Sequence, residues 1–472
     1  LVEDRADGPR AGHKVARRPL RRGQTVRKYG QVIGVAATDI AAGDWVHTHN
    51  LAMSEADRTA PIGTEARDVV PARPQATFQG YRRPDGRGGT RNFILVLTSV
   101  NCSATVARRI AEPFRDTGLP VGVDGVLALT HSGGCGGAAD APDILRLQTT
   151  LAGYATHPNV AGVLMVGLGC EANQIPDWLA RSGLAEGDRL RTLSIQASGG
   201  TTRAIQAGQA IVADLAVGAA RLTRETLPAS LLTVGLQCGG SDAWSGITAN
   251  PALGVAVDRL VAHGGSALLS ETPEIWGAEH LLLSRAASGQ VAADLRARLD
   301  WWQAYAAKHG LALNNNPSPG NLKGGLTTIL EKSLGAVAKS GTTPLRDVIG
   351  YAEPVRVPGL SFMDSPGYDP CSATGQIASG ANLIAFTTGR GSVFGSRPAP
   401  CLKIASNGAL AAWMDDDMDI DASPVLNGAP VDEIGDLIFA RLLATASGEP
   451  TASERLGLGE QEFVPWQVGA YL

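Results

Sequence analysis

The chain has 472 residues, 44% of them hydrophobic and 18% charged, and carries a formal net charge of −4. This is a globular composition too long for one ordinary core, so two or three domains are expected. The acidic balance excludes the basic surface of a nucleic-acid binder, and no apolar run reaches the ~20 residues of a membrane-spanning helix.

The first fifty or so residues suggest a small β-rich module: Val15–Ala16, Thr25–Val26, Val32–Ile33 and Trp45–Val46 are apolar pairs separated by turns at Gly23, Gly30 and Gly43. Arg17, Arg18, Arg21, Arg22, Arg27 and Lys28 crowd into it; a solvated face is favoured over a field that steers an anion. Ser54–Gln79, with Pro61, Pro71 and Pro74 and little periodicity, reads as a linker. Near Gly80 the pattern changes. Phe93–Val100, Val123–Leu129 and Val160–Leu168 are buried-strand runs, alternating with helical spacing over Ala104–Phe114, Pro142–Tyr154 and Thr201–Leu222. After Pro228 the alternation resumes with strands at Leu231–Leu236 and Ala267–Ser270 and helices across Ala252–Ala262 and Val291–Lys308. Together these predict a β module at 1–53, a linker at 54–79, and α/β domains with largely parallel sheets at 80–228 and 229–472.

Open parallel sheets bind ligands beyond the carboxyl ends of their strands. Cys102, then His131 and Cys135, then Cys170 and Glu171, then Cys238 and Asp242, and finally Glu271 each follow a predicted strand. Any one such cysteine serves equally well as a small buried hydrophobe, but the repetition favours a metal site. Ligands supplied singly from separate loops suit a catalytic ion, and thiolate, imidazole and carboxylate together are compatible with iron(II), zinc or cobalt. The β module adds His13 and the pair His47 and His49, which point the same way if they lie on a strand. An incidental surface pair is the more frequent meaning of such spacing. The loops around Ser241–Asp242, Asn316–Lys323 and Thr388–Gly391 are glycine-rich and suit anions. No Walker or dinucleotide fingerprint is present, so no nucleotide cofactor is expected. The six cysteines are scattered singly, which fits a reducing cytoplasm.

The ordered blocks Gly80-Tyr-Arg-Arg-Pro-Asp-Gly-Arg-Gly-Gly-Thr-Arg-Asn92, His131-Ser-Gly-Gly-Cys135, His157-Pro-Asn-Val, Gly167-Leu-Gly-Cys-Glu171 and Cys238-Gly-Gly-Ser-Asp-Ala-Trp-Ser-Gly-Ile-Thr-Ala-Asn-Pro251 resemble the altronate/galactarate dehydratase family. Ser270-Glu-Thr-Pro-Glu274, Asn316-Pro-Ser-Pro-Gly-Asn321, Lys323-Gly-Gly, Glu331-Lys-Ser-Leu-Gly335, Lys339-Ser-Gly and Thr387-Thr-Gly-Arg-Gly391 continue the match to about Ile420. The first fifty residues are similar to the family's SAF-type β-clip module, which begins here partway through, so a missing start is expected. The His-x-His pair and Asp415-Asp-Asp-Met-Asp-Ile-Asp421 resemble the altronate branch more than the galactarate branch.

The resemblance implies Fe2+-stimulated loss of water from a 2,3-dihydroxy sugar acid, altronate to 2-keto-3-deoxygluconate, with Mn2+ or another divalent ion as the alternative metal. It makes His131, Cys135, Cys170, Cys238 and Glu271 the pool of metal ligands. It makes His13 an acid/base group, supported by His47 and His49, and allows Lys323 a proton-transfer role. Arg91, Asn92, Ser241, Asp242, Asn316 and Arg390 are expected to hold substrate. A homo-oligomer is expected, with no nucleic-acid or membrane partner. Ser132-Gly133-Gly134 departs from the bulkier residues of some relatives, which leaves the substrate open. The rival readings are galactarate or another aldarate or aldonate as substrate, a sulfolactate sulfo-lyase, an iron–sulfur hydro-lyase using Cys102, Cys135, Cys170 and Cys238, and a sensor of sugar acids.

Overall fold

A computed structural model describes residues 2–4, 12–54, 60–115 and 118–468. Most of the opening of the β module (residues 1 and 5–11) and residues 55–59 of the linker therefore lie outside the described residues.

The N-terminal module is two small antiparallel sheets. One pairs Val2–Asp4, Lys14–Ala16 and Trp45–Val46; the other pairs Thr25–Lys28, Gln31–Ala36 and Leu51–Ala52. Tyr29 and Gly30 both have positive φ, 51° and 79°, and so form the two-residue turn whose twist matches a β-hairpin. Val26, Ile33, Ile40 and Val46 lead a core of its own.

The middle domain is a four-stranded parallel sheet in the order Gly125–Leu129, Phe93–Thr98, Val160–Gly167, Leu190–Ser194. The C-terminal domain holds a seven-stranded parallel sheet in the order Leu345–Ile349, Gly359–Met363, Ser266–Leu269, Thr233–Cys238, Leu383–Thr388, Cys401–Ala405, Ile420–Asp421. Strands such as Phe93–Thr98 and Leu383–Thr388 are buried along their whole length, as strands covered on both faces must be. In both sheets the first strand lies inside the sheet and the chain later crosses to its other side, so each has a switch point beside that strand.

Thr77–Arg82 pairs with Glu225–Pro228 and Gly88–Gly89 in a small sheet at the neck of the middle domain, so the expected linker gives its last residues to a strand. The two α/β domains share a core: Leu151 and Tyr154 of helix Pro142–Ala155 pack with Ile377 of helix Asp369–Ala378, and with Phe463 and Trp466 from the tail. Gly153 permits this approach, since a Cβ there would strike the Ala378 backbone. Among the described residues no helix is long and apolar enough to cross a membrane.

Candidate functional site

Strand Thr233–Cys238 delivers the Cys238 thiol to the switch point of the large sheet, where the Gly239 amide donates to the Thr387 carbonyl at 3.1 Å. Gly239 must lack a side chain because the Asp369 carboxylate occupies that space. The next strand, Ser266–Leu269, ends in Glu271 and the short turn of helix Thr272–Ile275, which carries Glu274. One ligand atom from each of Cys238, Glu271 and Glu274 lies within 4.8 Å of the others, and all three residues are buried. Among the described residues this is the only cluster of three or more such groups.

Helix Ile329–Ala338 and its C-cap bring two cations to the cluster. Lys332 donates to Glu274 Oε1 at 2.5 Å and to Asn316 Oδ1 at 2.9 Å, while Lys339 donates to Cys238 Sγ at 2.9 Å. Asn316 Nδ2 also donates to Glu274 Oε1, at 2.6 Å. Neither oxygen of Glu271 has a hydrogen-bond partner, nor does Glu274 Oε2. Glu271 also holds a left-handed backbone, φ 69°, which a non-glycine residue adopts at a cost of about 1–3 kcal/mol and which tends to mark functional positions.

Burial, then the neighbouring Glu274 and Asp369, pushes the Glu271 carboxyl well above its ordinary range. Glu274 goes the other way: burial would raise it, but Lys332 and then Lys339 hold it down. Asp369 is raised to about 7 by burial and by Glu274. Burial pushes the Cys238 thiol up, and Lys339 partly offsets this. Four acidic groups thus face two ammoniums. Two carboxyls and a thiol, with orphaned oxygens, are the donor set that fits a divalent cation, which would take the place of their protons.

Cys238 and Lys332 also open onto a cavity of about 210 Å³, below the roughly 300–1,000 Å³ of pockets for drug-sized ligands. The C-terminal domain supplies Ser241, Asp242, Ser245 and Asn250, and the β module closes it with Lys28, Tyr29 and Gln31 from its hairpin. The module is locked there by Glu331, which accepts from Lys14 at 2.9 and 3.0 Å and from Lys28 at 3.1 Å, all buried. Although burial alone would raise it, these ammoniums bring the Glu331 carboxyl down to about 2.

The expected five-ligand pool is brought together only in part. Cys238 and Glu271 meet, joined by Glu274, whereas Cys135 and Cys170 are exposed on the other sheet, together with Cys102. His131 is not placed as a ligand: Nε2 donates to the Thr98 carbonyl at 2.8 Å and Nδ1 accepts from the Gly133 amide at 3.2 Å, so both ring nitrogens are committed. Burial keeps it neutral, with a pKa of about 4. His157, in another of the matching blocks, is likewise spent on the Ala381 carbonyl and the Asn159 amide.

Arg91 and Asn92 are also corrections. Arg91 forks onto Glu454 at 2.7 and 2.8 Å and donates to the Thr90, Thr445 and Glu449 carbonyls. Asn92 donates to Gly122 and Ala219 and accepts from Arg83. Both spend their polar groups bracing the fold. Asp242 lines the cavity, but its oxygens accept from Ser245, Ser406 and Asn407. Burial nonetheless raises its carboxyl. Ser241 lines the cavity with a buried, unpartnered hydroxyl. Asn316 braces Glu274, while Lys323 and Arg390 are exposed.

The histidines of the β module gather around Trp45, which stacks on His47 at 4.8 Å and lies 5.0 Å from His49 and 5.7 Å from His13. His47 contacts the Leu322 carbonyl through Nε2 at 2.9 Å and Thr48 Oγ1 through Nδ1 at 3.1 Å, a docking contact between module and C-terminal domain. Burial lowers its pKa despite that carbonyl. His13 Nδ1 accepts from Trp45 Nε1, and the adjoining Gly12 packs against Trp244 and Gly325, behind the cavity wall.

Glu274, Lys332, Lys339 and Asp369 were absent from the sequence-based candidates. Their signal was local: Glu271 and Glu274 are three apart in a helical turn, and Lys332 and Lys339 are seven apart on one helix face.

Comparison with known proteins matches this architecture throughout. Residues 229–471 fit the D-galactarate/altronate dehydratase C-terminal domain, 80–220 the second domain of D-galactarate dehydratase/altronate hydrolase, and 7–54 the altronate/galactarate dehydratase SAF domain. The chain belongs to the altronate/galactarate dehydratase family. It is thereby an enzyme of the hydro-lyase kind. Altronate dehydratase of Bacillus subtilis (strain 168) is 38% identical over 86% of this chain and 80% of its own length. Altronate dehydratase of Escherichia coli (strain K12) is 35% identical over 94% and 89%. Galactarate dehydratase (L-threo-forming) of the same strain is 36% identical over 95% and 88%.

Proposed function

We propose that this enzyme dehydrates a sugar acid, altronate to 2-keto-3-deoxygluconate, with Cys238, Glu271 and Glu274 holding a divalent cation, Fe2+ ahead of Mn2+. The observation that carries this reading is the unpartnered, buried Glu271 carboxyl beside Cys238 and Glu274, where Cys238 opens onto a small cavity. Two relatives named altronate dehydratase and the His47/His49 pair favour altronate over galactarate.

When bound, the cation supplies the positive charge that makes the α-hydrogen beside a carboxylate removable. The chain's own groups prepare the site. Lys332, on the cavity wall, fixes Glu274 and Asn316, and Lys339 balances Cys238. Ser241 offers its hydroxyl to the polyol. Asp369, raised to about 7 by burial and by Glu274, keeps a proton close to Glu274 near neutral pH. His13, which the β module carries beside Trp45, is retained as an acid/base candidate.

The test is a chelator-treated enzyme assayed with altronate, galactarate and sulfolactate, with and without Fe2+, Mn2+ or Zn2+, following 2-keto acid release. Turnover of altronate restored by iron supports the reading. Failure on every sugar acid overturns the substrate class, and turnover indifferent to chelation overturns the metal.

A further inference from the structure

The middle domain has a switch point of its own, and three thiols stand at it. Taken in chain order its strands lie 2-1-3-4, and a sheet of this order opens a ligand crevice at the carboxyl ends of its first and third strands. Cys102 follows the first strand, Phe93–Thr98, Cys135 follows the second, Gly125–Leu129, and Cys170 follows the third, Val160–Gly167. All three are free and exposed, in contrast to Cys238, Cys371 and Cys401, which are buried.

The loops that carry them are bound to one another. The Asn101 amide donates to the Gly133 carbonyl and the Asn173 amide to the Gly134 carbonyl, each at 3.0 Å. Asn101 Nδ2 donates to the His131 carbonyl at 3.0 Å and Asn173 Nδ2 to the Ser99 carbonyl at 2.8 Å. Ser99 Oγ and the Gly169 amide both donate to Glu171, at 2.6 Å. Gly134, φ 98°, lies where any Cβ would strike the Ser99 carbonyl, so the second loop is pressed onto the first. His131 braces the same loop from beneath. Three exposed thiols at one edge are open to oxidation unless something ligates or covers them.

The three sulfurs do not all lie within 4.8 Å of one another. A single ion with metal–sulfur bonds of about 2.3 Å would draw tetrahedral thiolates to about 3.8 Å apart. A cluster takes one thiolate on each of several irons and so accepts wider spacing. We infer that Cys102, Cys135 and Cys170 hold an iron–sulfur cluster of the four-iron kind, three irons bound by protein thiolates and the fourth without one. Each thiol gives up its proton on ligation. Gln196, which donates to Cys170 Sγ at 3.6 Å, supplies a hydrogen bond to a ligating sulfur, one of the features that sets a cluster's potential. This centre is separate from the Cys238 cluster and does not rest on the reading of that cluster.

The full-length protein, purified without oxygen and incubated with ferrous iron and sulfide, is expected to gain a broad visible absorption band with about four iron and four sulfide per chain. C102S, C135S and C170S should each lose the band while keeping the wild-type thermal transition, since these side chains are exposed. C371A and C238S should retain it. Absence of the band, its persistence in the triple variant, or iron bound without sulfide would overturn the inference.

Discussion

The Lys339 ammonium stands 2.9 Å from the Cys238 sulfur, and both groups are buried. Burial alone would lower the lysine, but Cys238 and then Glu271 raise it, so it stays charged. The thiol is pushed the other way, toward its neutral form, by the same burial. A cation bound to sulfur would complete the ionisation that Lys339 only favours. Cobalt(II) titration reads this directly through the thiolate charge-transfer band. Cys238→Ala should abolish that band, and Lys339→Met should weaken metal affinity roughly 10–100-fold, as loss of an outer-shell partner does. An unchanged band in Cys238→Ala would remove Cys238 from the ligand set.

Glu331 makes the attachment of the β module dependent on pH. Its folded value of about 2 lies below the ordinary 4.5, a difference worth about 3 kcal/mol. Because the folded value is the depressed one, this stability is fully present above pH ~4.5 and is lost as pH falls toward 2. Glu331→Gln removes the carboxylate that Lys14 and Lys28 share, at an expected cost of about 3–5 kcal/mol at neutral pH. Thermal unfolding across pH should show the wild-type curve falling toward the variant's in acid. Parallel curves would show that Glu331 is not the titrating group.

What was legible in the sequence was what depends on local pattern. The runs Phe93–Val100 and Val160–Leu168 read as buried strands from their length and apolarity, which put the residues after them at a sheet edge. The sequence could not say which edge residues meet. His131 and Cys238 look alike as candidates, yet His131 turns inward to brace its loop while Cys238 faces two carboxylates from another loop. Arg91 illustrates the same limit, since a guanidinium bound for substrate and one bound for Glu454, 363 residues away, look identical in one dimension. Lys332 and Lys339 went unassigned because lysines on a helix usually face water, and only tertiary packing turns these two inward.

Arg91 separates a structural from a substrate role. Its five donors are spent on Glu454 and three carbonyls. Arg91→Ala strands a largely buried carboxylate and should cost about 3–5 kcal/mol in stability. The KM of the fraction that remains folded should be unchanged. A raised KM at wild-type Tm would return Arg91 to the substrate site.

Ser241 gives the converse case. Its hydroxyl is buried in the wall of the cavity and has no hydrogen-bond partner, while its carbonyl is held by Asn321 Nδ2 at 2.8 Å, which fixes where that wall stands. A buried hydroxyl left without a partner carries a desolvation penalty of about 1–3 kcal/mol, which a substrate hydroxyl would relieve. Ser241→Ala should therefore leave Tm equal or slightly higher, because the penalty is removed from the free enzyme. Substrate binding should weaken by about 1 kcal/mol, a rise in KM of roughly fivefold to tenfold. The two readouts move independently only if the hydroxyl serves the ligand. A lowered Tm with unchanged KM would mean that Ser241 serves the fold instead.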